Sequence, residues 1–190
     1  KKSGYDAIIL HGAAEIPSGL MIDNGQISFF DADDCWGKTV GETTDILEAR
    51  FGADIDVAAI GEAGENQVRF ASIVSSRTHQ AQRMGMGAVM GSKKLKAIVL
   101  RGGQLPPIAD PATYDTINAN FERDIPTNEL SNWQKTPPGF AVWVHLHGVD
   151  AALTTENYRT ANFKSVDAYT EDKWLPLARG VSPCPGCAND

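Results

Sequence analysis

Basic side chains are in short supply in this chain. Seventeen Lys and Arg stand against 24 Asp and Glu, a formal net charge of −7. That balance excludes a general nucleic-acid role, which needs a broad basic footprint. Cysteine is scarcer still, with only Cys35, Cys184 and Cys187 among 190 residues. An odd, sparse set is not a secreted disulfide framework and points to a reducing cytoplasm. No apolar run approaches the ~20 residues a membrane helix needs, so no membrane span is expected. Internal repeats and low-complexity tracts are missing too. The chain opens Lys1-Lys2-Ser3-Gly4, without an initiator Met or a signal peptide, and closes just after a cysteine motif. The expectation is an internal piece of a longer protein.

What is present is enough to bury a core as one domain, or as one domain and part of another. The pattern predicts an α+β fold. Residues 5–10 read as a short buried strand. Apolar runs at 19–22 and 26–30 flank Asp23-Asn24-Gly25, and Asn-Gly between two such runs signals a hairpin. Residues 43–51 have helical spacing, with Thr43 or Thr44 as N-cap and Gly52 just past the end. Residues 56–60 and 96–100 read as strands, with a further apolar stretch at 68–74. Prolines crowd residues 104–111, and a domain boundary is placed near residue 105. Beyond it, 112–123 reads as a helix, 140–147 as helix or strand, and 170–177 as a short helix broken by Pro176.

Chemistry concentrates at two places. The first is the run from Arg83 to Lys96, with Gly85, Gly87 and Gly91 among basic side chains. Its spacing fits neither the Walker A loop nor the dinucleotide fingerprint. Close packing and ligand contact are both open readings of these glycines. Lys93, Lys94 and Lys96 fit a local anion site. A second cluster, Gly61 to Asn66, reads as a turn whose Glu65 and Asn66 bond a polar ligand or the glycine run. The second place is Cys184-Pro185-Gly186-Cys187. Its two sulfurs suit a metal or an iron–sulfur cluster, and a redox disulfide is the alternative. Cys35, beside Trp36, reads as a small buried residue. His145 and His147 would share a face of a strand, as core or surface residues sooner than a metal pair.

Taken together, these segments resemble the tungsten-containing aldehyde ferredoxin oxidoreductase family. The resemblance is carried by GYDAII at 4–9, DAxxxWGK at 31–38, AxIGxAGEN at 58–66, RFASI at 69–73 and GMGAVMGSKKLKAIVLRG at 85–102. PIAD at 107–110 and TxNY at 155–158 extend it. The resemblance implies that residues 1–105 are the latter part of a β-rich N-terminal domain that forms a base for a tungsten (or molybdenum) bis-pterin cofactor. Residues 106–190 would begin a mainly helical domain. It further implies that His79, Gln80, Arg83, Gly85, Gly87 and Gly91 cradle the pterin phosphates and their bridging Mg2+. Cys184 and Cys187 would be ligands of a 4Fe–4S cluster.

Three residues depart from the family pattern. His79-Gln80 stands where Arg-Ala is usual, so an imidazole that can donate a hydrogen bond replaces the permanent guanidinium charge. Met84 stands where a glycine is often found. The implied activity is oxidation of a small aldehyde, with water, to a carboxylic acid. Electrons would pass to ferredoxin or a partner subunit, in a cytoplasmic enzyme that is a candidate homo-oligomer. The alternatives are a family member with another reaction, such as aromatic acyl-CoA reduction, a non-catalytic iron–sulfur or zinc module, and a paralogue that lost its cofactor. No catalytic acid or base is assignable.

Overall fold

The computed structural model describes residues 3–103, 107–129, 131, 143–144 and 152–179. The chain divides into two compact units, residues 1–107 and 108–190. The first is built on a six-stranded sheet. Its strands are β1 (Ser18–Asp23), β2 (Gln26–Asp31), β3 (Asp56–Ala59), β4 (Ile73–Ser75), β5 (His79–Ala81) and β6 (Leu95–Arg101), in the order β2-β1-β6-β3-β4-β5. β1 runs parallel to β6, and every other pairing is antiparallel. With its helices this is the α+β architecture expected from the sequence.

The β1–β2 hairpin turns at Asn24-Gly25, both left-handed (φ 47° and 86°), as a two-residue turn of this kind requires. Along β1 the side chains alternate between two apolar layers. Met21 joins Leu47, Val57, Ala97 and Val99 on one face, while Leu20 and Ile22 join Ile60, Met90 and Leu95 on the other. The sheet therefore lies between α1 (Val40–Phe51), which supplies Leu47, and α3 (Met86–Ser92), which supplies Met90. A short α2 (Glu62–Glu65) follows β3. Cys35 is fully buried, and burial pushes its thiol up to about 11. It is a neutral core residue.

Three expectations change. Residues 5–10 form no strand. Ile9 is largely exposed, and the segment is held instead by the Tyr5 hydroxyl, which donates to the Gly25 carbonyl, and by Leu10 against the second apolar layer. Helix α1 begins three residues early. Its N-cap is Thr39, which shares a reciprocal capping box with Glu42, the arrangement that a Thr-x-x-Glu spacing encodes. The glycine run is not a loop, because residues 86–92 of it form α3.

In the second unit, α4 (Pro111–Asp124) is capped by the Asp110 carboxylate, which accepts from the Thr113 N–H. A 3₁₀ turn (Val166–Tyr169), the single-turn α5 (Glu171–Trp174) and a second 3₁₀ turn (Leu175–Leu177) follow. The apolar stretch at 140–147 and the pair Cys184 and Cys187 lie outside the described residues. His145 and His147 lie outside them too.

Candidate functional site

The three motifs at 31–38, 58–66 and 85–102 meet at one buried ion pair. Lys96 sits at a register slip, where Ser18 pairs Leu95 but Gly19 pairs Ala97. A residue inserted in this way breaks the alternation of the strand and re-aims its side chain. The Lys96 ammonium is fully buried and donates to Glu65 Oε1 and, at 2.8 Å, to the Lys38 carbonyl. The other Glu65 oxygen accepts from the Gly37 N–H at 2.9 Å. Both Glu65 carboxylate oxygens are thus engaged within the protein, one of them by Lys96, the last residue of the glycine-rich run, which is one of the two roles the sequence suggested for Glu65. Asn66 donates to the Glu62 carbonyl of its own turn.

The three lysines expected to form an anion site are engaged by backbone carbonyls instead. Lys93 and Lys94 donate to the carbonyls of Gly12 and Glu15, and Lys96 is the buried cation just described. These lysines fasten the 11–16 segment and the 36–38 loop to the sheet. The 11–16 segment leaves a cavity of about 280 Å3 against β1, β2 and β6, lined in part by His11, Phe29 and Lys93. No site residue inferred from the family resemblance lines it.

Gly85, the N-cap of α3, and Gly87 and Gly91 within it each have a packing reason. A Cβ on Gly85, which is left-handed (φ 67°), would stand 2.2 Å from the Arg69 carbonyl oxygen. On Gly87 it would stand 2.5 Å from the Ser72 oxygen, and on Gly91 1.8 Å from the Gly64 oxygen. These separations are far inside van der Waals contact, so α3 can lie on the 64–72 backbone only as a glycine face.

His79 and Gln80 fall on β5, the edge strand, directly before α3. His79 is half-buried, with Nδ1 3.2 Å from the Thr78 hydroxyl, and Gln80 is exposed. Arg83 is exposed, and its guanidinium has no hydrogen-bond or ion-pair partner among the described residues. Arg69, whose backbone lies against Gly85, is a second exposed guanidinium of this kind. Sequence reasoning missed it, since only the glycine contact brings position 69 beside position 85. Met84 and Phe70 stand out beside them, 92% and 82% exposed. The start of α3 thus carries two unpaired cations beside exposed apolar side chains, Arg83 next to Met84 and Arg69 next to Phe70, with His79 four residues before Arg83 on β5. Among the described residues no three His, Cys, Asp or Glu side chains gather as a metal site.

Comparison with known proteins decides which family this architecture represents. The family model for the aldehyde ferredoxin oxidoreductase N-terminal domain matches residues 1–102. The chain belongs to that family. It is 37% identical over 196 residues to the tungsten-containing aldehyde ferredoxin oxidoreductase of Pyrococcus horikoshii, covering 98% of this chain and 32% of that protein. It is 34% identical over 200 residues to the WOR-like subunit of an aliphatic sulfonate oxidoreductase of Pyrococcus furiosus, covering 97% and 32%. Among solved structures, the active-site complex BamBC of benzoyl coenzyme A reductase superposes with a TM-score of 0.62 at 38% identity, over 67% of this chain and 20% of that one. The chain thus spans about a third of the length of these oxidoreductase relatives.

Two predictions follow from this geometry within the family framework. Lys96→Met strands a buried carboxylate and should cost about 3–5 kcal/mol. The double variant Lys96→Met/Glu65→Gln keeps an acceptor for the Gly37 N–H without the charge, and chemical denaturation should show it less destabilised than the single. Met84 is a non-glycine residue in the left-handed region (φ 69°). Met84→Gly should therefore stabilise the fold by about 1 kcal/mol, read as a higher denaturation midpoint.

Proposed function

We propose that the polypeptide carrying this chain oxidises an aldehyde, with water, to a carboxylic acid, releasing two electrons and two protons. A tungsten (or molybdenum) bis-pterin group, when bound, supplies the two-electron redox chemistry. The observation that carries the reading is the pair of unpartnered guanidinium groups, Arg69 and Arg83, on the β5–α3 edge of a chain whose net charge is −7. Free cations beside exposed apolar side chains suit a ligand that joins phosphates to a flat ring system.

In this reading Arg83 and Arg69 neutralise pterin phosphates, and His79 donates a hydrogen bond to them. The Gln80 carbonyl is offered to the bridging Mg2+. Gly85, Gly87 and Gly91 act through packing, since they let α3 lie close on the 64–72 backbone and hold the edge in place. Cys184 and Cys187 would hold a 4Fe–4S cluster, a group that supplies one-electron transfer toward ferredoxin or a partner subunit when bound. Residues 1–105 belong to the cofactor base and 106–190 open the helical domain of a cytoplasmic, homo-oligomeric enzyme.

A second reading, reduction of an aromatic acyl-CoA, is favoured by the likeness to the benzoyl coenzyme A reductase complex. It uses the same cofactor edge and differs in the substrate. The test is metal analysis of the full-length protein purified without oxygen. Tungsten near one per chain with about four irons supports the proposal, and Arg83→Ala should lower the tungsten retained. Zinc, or iron without tungsten or molybdenum, overturns it. With a loaded protein, viologen reduction driven by aldehyde selects the first reading, and turnover of aromatic acyl-CoA alone selects the second.

A further inference from the structure

The first unit contains two hairpins that turn through consecutive left-handed residues, and they are built from opposite materials. The β1–β2 turn uses Asn24-Gly25, the pair best suited to that backbone. The β4–β5 turn uses Ser76-Arg77 (φ 47° and 65°), closed by a hydrogen bond from the Thr78 N–H to the Ser75 carbonyl at 3.2 Å. Neither residue favours that region. A conformation of this kind persists where its surroundings over-determine it.

Arg77 supplies the surroundings. Its Nη2 donates to Asp45 Oδ1 and to Glu48 Oε2, both at 2.8 Å, and its Nη1 reaches the Gly41 carbonyl at 3.5 Å. All three acceptors lie on α1. A cleft of about 220 Å3 opens beside this contact, lined by Thr44 and Glu48 of α1 and by Ser76 and Arg77 of the turn. Besides the guanidinium, the turn is anchored by a hydrogen bond from the Ser76 N–H to the Val57 carbonyl at 3.1 Å. The residues immediately after the turn are His79 and Gln80, and β5 has no strand beyond it among the described residues.

We propose that Arg77 is a positioning residue, whose clasp on Gly41, Asp45 and Glu48 of α1 fixes the β4–β5 hairpin and so presents His79 and Gln80 to the cofactor. This rests on the reading of β5 as cofactor-facing. The clasp takes over the role that turn-favouring residues play in the other hairpin, and it adds orientation relative to α1, which such residues cannot supply.

The test uses three variants and two readouts. Arg77→Gln removes the clasp. Asp45→Asn with Glu48→Gln removes the charge of its acceptors. Ser76→Asn with Arg77→Gly gives the turn a favoured pair while abolishing the clasp. In the full-length protein, amide hydrogen exchange over residues 75–81 should speed up about tenfold in the first two variants, and stay slow in the third. In the full-length protein, tungsten retained per chain should fall in all three at an unchanged unfolding temperature. A role confined to stability would lower that temperature and leave the third variant fully loaded. Unchanged exchange in Arg77→Gln, or full tungsten retention in the third variant, overturns the inference. A wild-type protein without tungsten or molybdenum overturns the proposed function instead, and the clasp is then judged on hydrogen exchange alone.

Discussion

A lysine with no access to water organises this domain. Moving an ammonium and a carboxylate out of water costs several kcal/mol per ion unless both are fully partnered. Lys96 and Glu65 meet that condition through each other, the Lys38 carbonyl and the Gly37 N–H. The requirement is geometric. The 36–38 loop, the end of α2 and the start of β6 must all be in place before either charge can be buried. An apolar pair of equal volume would not demand this particular loop conformation. The bulge at Lys96 is the backbone feature that lets a strand alternating between two apolar layers aim a charge inward.

The candidate edge depends on that frame. With α2 fixed by Glu65, the Gly64 carbonyl lies where only a glycine at 91 can meet it, and the 69–72 backbone imposes the same condition on Gly85 and Gly87. Helix α3 is thereby seated on the sheet through Met90. The exposed side chains beside it, Arg69, Phe70, Arg83 and Met84, inherit their positions from these contacts. In the proposed reading the glycines therefore serve by fixing backbone placement. The charges that would meet a phosphate come from residues flanking them.

Local signals with a single physical cause were legible in the sequence. Asn24-Gly25 announced a hairpin, Gly52 a helix end, and the spacing over 112–123 the helix α4. The ordered run of family segments identified the family and the fold, and the site it implies at His79, Gln80 and Arg83 stands as part of the proposed function. What stayed hidden depends on tertiary context. Residues 5–10 have the composition of a strand, yet no sheet edge takes them up. Lys96 reads as one of three basic neighbours, and only the register slip separates it from Lys93 and Lys94. Ser76-Arg77 carries no turn signal, because its stabilising partners lie about 30 residues away on α1. Arg69 joins the edge only through its contact with Gly85. The Thr39–Glu42 capping box was readable from spacing alone, but the Thr43 and Thr44 pair inside the helix offered a competing start.

The central claim is that the β5–α3 edge, and not the cavity at His11 and Lys93, faces the metal cofactor. The most direct measurement is anomalous diffraction at the tungsten absorption edge from crystals of the full-length protein grown without oxygen. The account predicts a tungsten peak in front of β5 and α3, nearer to His79 and Arg83 than to His11 and Lys93. A tungsten peak beside His11 and Lys93, or on the α1 face of the sheet, would contradict it.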